Sequence, residues 1–463
     1  MLACDERFAL KFVFMDSEGL IFLEELAFKK INFVREFYMR DCTVFTLSNG
    51  LRVVHRRVTT SAIVHCGLVL DIGSRDETLV NQGIAHFWEH MAFKGTRKRK
   101  TLDIISSLDS VGGELNAYTD KEKIAFYASV RKEYFERAVD LLSDITFYSI
   151  FPEKELEKER GVILEEMAMY LDSPDESLQD EFESIVYKNH PMGMNILGRE
   201  ETINGFQKKD FTTFFKEHIN TRKIVFSIVG DVSRDEAERL AKKYLENFKT
   251  HQLNGKRRKF SSYKPEYQVL ERIVKQAKCA IGGEAYPIRH ADRIPLYLLV
   301  NILGGPGMNS RLNLSLRERY GLVYSVDAHY IPYSDTGMFA VFFGTEPKQL
   351  DKCINLVKKE LNRFCDKPLS KSQLAAAKEQ IKGQLAMSEE NNLSLMLMMG
   401  RSVLLYNRVP ELEEVFDTID ATDALRLQQV AQDIFDERRL SYLTMVPENG
   451  NKKSTKVEGK KVK

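Results

Sequence analysis

No stretch of this 463-residue chain approaches 18 uninterrupted apolar residues, so no helix of it is expected to cross a membrane. Net charge is almost absent. The 68 Lys and Arg against 67 Asp and Glu leave +1, which removes the electrostatic case for a nucleic-acid partner. Cysteine is sparse: Cys4, Cys42, Cys66, Cys279, Cys353 and Cys365 are scattered, with no C-x-x-C pair. That excludes a disulfide frame or a zinc knuckle and fits thiols in a reducing compartment. The first residues lack a basic segment followed by an apolar run. Asp5, Glu6, Asp16 and Glu18 also come too early for an acid-poor mitochondrial presequence, so the cytoplasm is the expected location. What remains is ordinary globular material, 43% apolar and 29% charged, and too long for a single core. At least two domains are expected.

Histidine is scarce as well, nine in all, and yet two stand one turn apart in Gly83-Ile84-Ala85-His86-Phe87-Trp88-Glu89-His90-Met91. Read as a helix, Ile84, Phe87, Trp88 and Met91 form one apolar stripe, and His86, Glu89 and His90 share the opposite side. Imidazoles at i and i+4 lie one above the other and can reach a single ion. Zn²⁺ accepts ring nitrogens and, in catalytic sites, leaves a position open. A carboxylate between the two can move a proton. This is H-x-x-E-H, the inverted form of the H-E-x-x-H zinc helix. A third ligand should be an acid on another helix, and Glu159, Glu165 and Glu166 are the candidates. Glu159 and Glu166, seven apart, share a face, and Glu165 is turned away by ~100°.

Residues 83–96 resemble the signature of the pitrilysin/insulinase family of inverted-motif zinc peptidases, nearest the branch with the processing peptidases. The resemblance runs from about residue 42 to about residue 448. It implies one Zn²⁺ per chain held by His86, His90 and Glu166, with Glu89 as general base and Glu159 orienting a ligand from behind. It also matches Arg317 and Tyr324 to the family's substrate-gripping pair, with Arg319 as the rival arginine. Gly113, Asn116 and Ala117 match an edge strand that accepts substrate as an added strand. The implied activity is a zinc endopeptidase acting on unfolded or presequence-like peptides. The implied fold is half of a clamshell chamber, closed by a second copy or a paralogue. A non-catalytic scaffold or binding subunit of the same fold is the alternative.

The order of elements predicts an α+β chain of two duplicated domains, each an antiparallel-rich sheet with helices on one face. Residues 1–41 stand outside the resemblance, although Leu23, Leu26, Ala27, Ile31 and Val34 could line an amphipathic helix. A zinc-binding domain is expected over 42–248 and a basic, solvated linker over 249–271, with Lys256, Arg257, Arg258 and Lys259. A domain without metal ligands should fill 272–448, and a lysine-rich disordered tail 449–463. Helices are expected at 101–111, 153–172, 311–319 and, unbroken, 370–406. Strands are expected at 221–232 and 440–446 in corresponding places of the two halves. Gly304-Gly305-Pro306-Gly307 lacks the Gly-Lys-Ser/Thr of a phosphate loop, and Pro306 removes a donor, so no nucleotide is expected there. It resembles the family's flexible glycine stretch. At residues 195–198 Asn195 replaces the family's usual proline.

Overall fold

The computed structural model describes residues 42–248 and 257–448; the expectations for 1–41, 249–256 and 449–463 lie outside them. In the first half, β1 (Cys42–Thr46) and β2 (Arg52–Arg57) form a hairpin around the predicted Ser48-Asn49-Gly50 turn. β3 (Ile63–Leu70), β4 (Glu114–Thr119), β5 (Ile124–Arg131) and β6 (Ile224–Gly230) complete a sheet of order β1-β2-β6-β3-β5-β4. In the second half, β7 (Tyr267–Arg272), β8 (Ala277–Ala285), β9 (Val323–Pro332), β10 (Gly337–Thr345) and β11 (Ser441–Pro447) follow the order β7-β11-β8-β10-β9. Setting aside β1, the two orders are the same. In each, one parallel pair (β2 with β6, β7 with β11) sits beside antiparallel neighbours. The duplication predicted from the order of elements is therefore a duplication of sheet topology.

The central strands of each sheet are buried on both faces. β6 is buried along its whole length. Its Ile224, Phe226 and Ile228 enter the core built with the first half's own helices, beside Trp88 and Phe87. The alternate residues Val225 and Val229 meet Leu395, Met396, Met399 and Val403 of the helix Asn392–Tyr406, which belongs to the second half. The exchange is reciprocal. Leu178, Phe182, Ile185 and Val186 of the first-half helix Pro174–Val186 cover Ala280, Met338, Ala340, Leu443 and Met445 of the second sheet. Sequence reading gave each sheet helices on one face; the second face is closed by a helix on loan from the other half. The expected single helix over 370–406 is accordingly two, Lys371–Glu389 and Asn392–Tyr406. The side chain of Asn391 accepts from the Ser394 amide, capping the second.

Three further expectations are corrected. Within the basic run Arg257 is not a solvated charge, although Arg258 and Lys259 are exposed as expected. The Arg257 guanidinium lies 2.6 Å from Asp71 and 2.7 Å from Asp76, so its charge is paired across the chain. β7 begins at Tyr267, inside the stretch read as linker; it is an edge strand, and its largely exposed residues gave it a polar signature. The predicted helix over 311–319 is present but corrected in type: Asn313–Glu318 is π-helical, and the Arg319 amide reaches back to the Leu314 carbonyl. A helix at Leu412–Ala421 had no sequence expectation at all.

Candidate metal centre

The motif helix runs from Ile84 to Ala92, and its stripe of Ile84, Phe87, Trp88 and Met91 is buried in the first core. Two devices fix its start. Gly83 has φ +94, and a Cβ there would come within 2.7 Å of the Gly198 Cα, so only glycine suits this left-handed, closely approached position. The buried carboxylate of Glu77 accepts from the amides of Gly83 and Ala85, both at 2.8 Å, satisfying donors the helix leaves open. Burial pushes the Glu77 carboxyl up to about 8 against those two hydrogen bonds. The 195–198 loop packs against this same end, and the Asn195 carbonyl accepts from Gln82. Where the family usually has proline, the Asn195 side chain accepts from the Leu197 amide and donates to Asp180, so a side-chain turn shapes the loop.

With its apolar stripe buried, the helix presents His86, Glu89 and His90 to the helix Glu153–Asp172, which lies where the sequence placed it. Glu166 projects from that helix between the two imidazoles. Its Oε1 is 3.8 Å from His86 Nε2, and its Oε2 is 3.5 Å from His90 Nε2. One ligand atom from each of the three lies within 4.8 Å of the others, and no second such group occurs among the described residues. Two turns back, Glu159 Oε2 is 3.2 Å from His90 Nδ1, and Oε1 is 2.6 Å from Lys94 Nζ. Glu159 thus orients His90 from behind, leaving Nε2 to face Glu166. The Nδ1 of His86 is buried without a hydrogen-bond partner.

Charge is divided unevenly here. Burial and the neighbouring His90 push His86 down to about 4, keeping it neutral. His90 is raised to about 9: burial opposes its charge, but Glu159 and Glu166 outweigh it. A hydrogen bond from His90 holds Glu166 below the usual carboxylate range. Burial would raise Glu159, yet His90 and Lys94 keep it low. Burial raises Glu89, against a 2.5 Å hydrogen bond donated by the Thr119 hydroxyl. Two imidazoles and a carboxylate converging on one point fit a tetrahedral Zn²⁺, whose ligand atoms stand about 3.3 Å apart when each is ~2.0–2.1 Å from the ion. The carboxylate oxygens lie 3.8 and 3.5 Å from the two imidazole nitrogens, and with all three ligand atoms within 4.8 Å of one another the group would draw in by at most about 1.5 Å to hold the ion.

β4 begins immediately after Gly113 and, among the described residues, pairs only with β5, so no described strand occupies its other edge. Asn116, exposed, and Ala117, half-buried, stand opposite Tyr127 and Phe126 of β5. Arg317 and Tyr324 lie apart from this group, on the π-helical turn and on β9, the edge of the second sheet. Tyr324 is 86% exposed, and Arg317 is paired loosely with Glu318 at 3.8 Å. Sequence reasoning missed Thr119, Lys94 and Glu77. Lys94 stands one turn beyond His90, which was a usable signal. Thr119 and Glu77 reach the motif helix only through the fold.

Residues 52–200 match the family model described as Insulinase (Peptidase family M16), and residues 205–381 match that of the Peptidase M16 inactive domain. The division agrees with a metal-type cluster confined, among the described residues, to the first half. The chain belongs to the insulinase family, peptidase family M16. The uncharacterized zinc protease YmxG of Bacillus subtilis (strain 168) is 33% identical over 411 residues, covering 88% of this chain and 98% of the relative. The mitochondrial-processing peptidase subunit beta of Bos taurus is 34% identical over 397 residues, covering 82% and 80%. A protease from Helicobacter pylori, at 22% identity, shares the fold with a TM-score of 0.80 over 88% of this chain and 99% of that one.

Proposed function

We propose that the chain is a zinc endopeptidase that cuts unfolded or presequence-like peptides held as an added strand on β4. The observation that carries this is the convergence of His86, His90 and Glu166, with Glu89 on the same helix and an open sheet edge leading to it. Zn²⁺ held by those three would acidify a water molecule and polarise the scissile carbonyl. The rest falls to the protein. Main-chain pairing along β4, at Gly113, Asn116 and Ala117, holds the peptide with little demand on its sequence. Glu89 takes the proton of the attacking water and passes it to the leaving amine. A partly buried carboxylate, raised above its ordinary value, suits both duties. Glu159 fixes the orientation of His90. Tyr324 and Arg317 supply hydrogen bonds to the oxyanion or the peptide when the chamber closes round the substrate. A second copy or a paralogue completes the chamber, in the cytoplasm.

The test is metal analysis beside cleavage of a random peptide pool. Purified protein should carry about one zinc per chain. Glu89→Gln should keep the metal and lose turnover by about 10²–10⁴-fold, the usual share of acid–base catalysis. A zinc-loaded wild type that cuts no peptide would favour the scaffold reading. Zinc kept in Glu166→Gln but lost in Glu165→Gln would show that the neighbouring acid is the ligand.

A further inference from the structure

Thr119 is the last residue of β4. Its backbone pairs with Ile124 of β5, and its side chain leaves the sheet on the face where the motif helix lies. Among the described residues it is the one group that hydrogen-bonds the Glu89 carboxylate, its Oγ1 lying 2.5 Å from Oε2. Oε1 is left to take a proton. The neighbouring Tyr118 faces the other way, where Arg401 donates to its hydroxyl at 3.0 Å. The turn after Thr119 is pinned on two sides. Lys121 pairs with Glu183 at 3.0 Å and donates to the Met194 carbonyl at 2.7 Å. Glu122 pairs with Arg75 at 2.6 Å and accepts from the Ser334 amide and hydroxyl of the second half. The branched Thr119 side chain, stiff at χ1, therefore presents its hydroxyl from a backbone that cannot drift.

We infer that Thr119 is a positioning residue for the general base. Its hydroxyl fixes the rotation of the Glu89 carboxylate and ties the strand that receives the peptide to the group that moves the proton. The inference rests on the peptidase reading and adds to it a residue that touches neither metal nor substrate. A carboxylate tethered through its own chain and hydrogen-bonded at one oxygen cannot rotate about its last side-chain bond without breaking that hydrogen bond, so its second oxygen keeps one direction. Misplacement of a reacting group by about 1 Å can cost ~10²-fold.

The experiment compares Thr119→Val, which keeps the shape and removes the donor, with Thr119→Ser, which keeps the donor. Steady-state cleavage of a pool-derived peptide, zinc content and thermal melting are read for each. Thr119→Val should lower kcat by about 10–100-fold with KM within about twofold, and with zinc and melting unchanged. Thr119→Ser should recover most of the rate. In a Glu89→Gln background Thr119→Val should cost nothing further, because the group it positions is gone. Wild-type kcat in Thr119→Val would overturn the inference, and so would a Thr119→Ser enzyme as slow as the valine variant. A further loss on top of Glu89→Gln would overturn it too. A zinc-loaded wild type that cleaves nothing would instead sink the peptidase reading beneath it.

Discussion

His90 Nδ1 lies 3.2 Å from Glu159 Oε2, on the side of the ring away from Glu166. Were His90 to ligate a metal, that contact would fix its tautomer, leave Nε2 facing Glu166 and raise the basicity of the ring. Because Glu159 is also held by Lys94 at 2.6 Å, the acid itself is not free to swing. Glu159→Ala should therefore weaken zinc binding by about 10–100-fold, as loss of a ligand's supporting acid does. Turnover per zinc-loaded molecule should change far less. Competition with a chelator measures the first, and metal-saturated kinetics the second. Unchanged affinity would mean that Glu159 serves only Lys94.

Zinc binding should be linked to pH through the same ring. Without metal, His90 is raised to about 9 and so carries a proton at pH 7, while His86, pushed down to about 4, carries none. A ligating imidazole must give up its proton, so zinc uptake at pH 7 should release about one proton per chain. Apparent affinity should then fall as pH falls below about 9, roughly tenfold per unit, and level off above it. Titration calorimetry in buffers of different ionisation enthalpy counts the protons. Release of none at pH 7 would show that His90 is neutral before the metal arrives.

Much of this site was legible before the fold. The stripe of Ile84, Phe87, Trp88 and Met91 and the opposed histidines are features of a single helix, and helical periodicity is local. Glu159 and Glu166, two turns apart on another helix, could be recognised as sharing a face for the same reason. What escaped is what depends on contacts between distant segments. Thr119 reaches Glu89 because β4 runs beside the motif helix, and nothing at residue 119 announces that. Arg257 reads as a solvated charge until Asp71 and Asp76 are brought to it. β7 was hidden in a basic run because an edge strand need not alternate cleanly. The apolar stretch of Asn392–Tyr406 was legible as a helix, but its partner sheet belongs to the other half.

The second half should contribute to turnover through Tyr324. Its exposure of 86% and its place on the edge strand β9 leave the hydroxyl available to a bound peptide. If it donates chiefly as the oxyanion forms, Tyr324→Phe should lower kcat by about 10–10³-fold and raise KM little. Arg317→Ala, with the side chain half exposed, should act more on KM. A Tyr324→Phe enzyme with normal kcat and raised KM would move the tyrosine to substrate holding alone.

The two halves should not be separable. Val54, Val225 and Val229 of the first sheet are fully buried only because Leu395, Met396, Met399 and Val403 lie on them. Met396 is further fixed by its carbonyl, which accepts from the Ser227 hydroxyl at 2.6 Å. The helix approaches so closely at Gly400 that a Cβ there would stand 2.7 Å from Val69 Cγ2. A fragment 42–248 would turn this apolar sheet face to water, at a cost of ~25 cal/mol for each Å² uncovered. It should aggregate or lose cooperative melting, and co-expression with residues 257–448 should restore a folded complex. Gly400→Val in the full chain should wedge the helix from the sheet and cost about 1–3 kcal/mol in denaturant unfolding, the usual penalty for overpacking a filled contact. Arg401, the next residue, donates to Tyr118 of β4, so the same variant should also disturb peptide binding at the strand edge and raise KM. A fragment 42–248 that melts as cooperatively as the full chain would show that the helix is a cover the first sheet can do without.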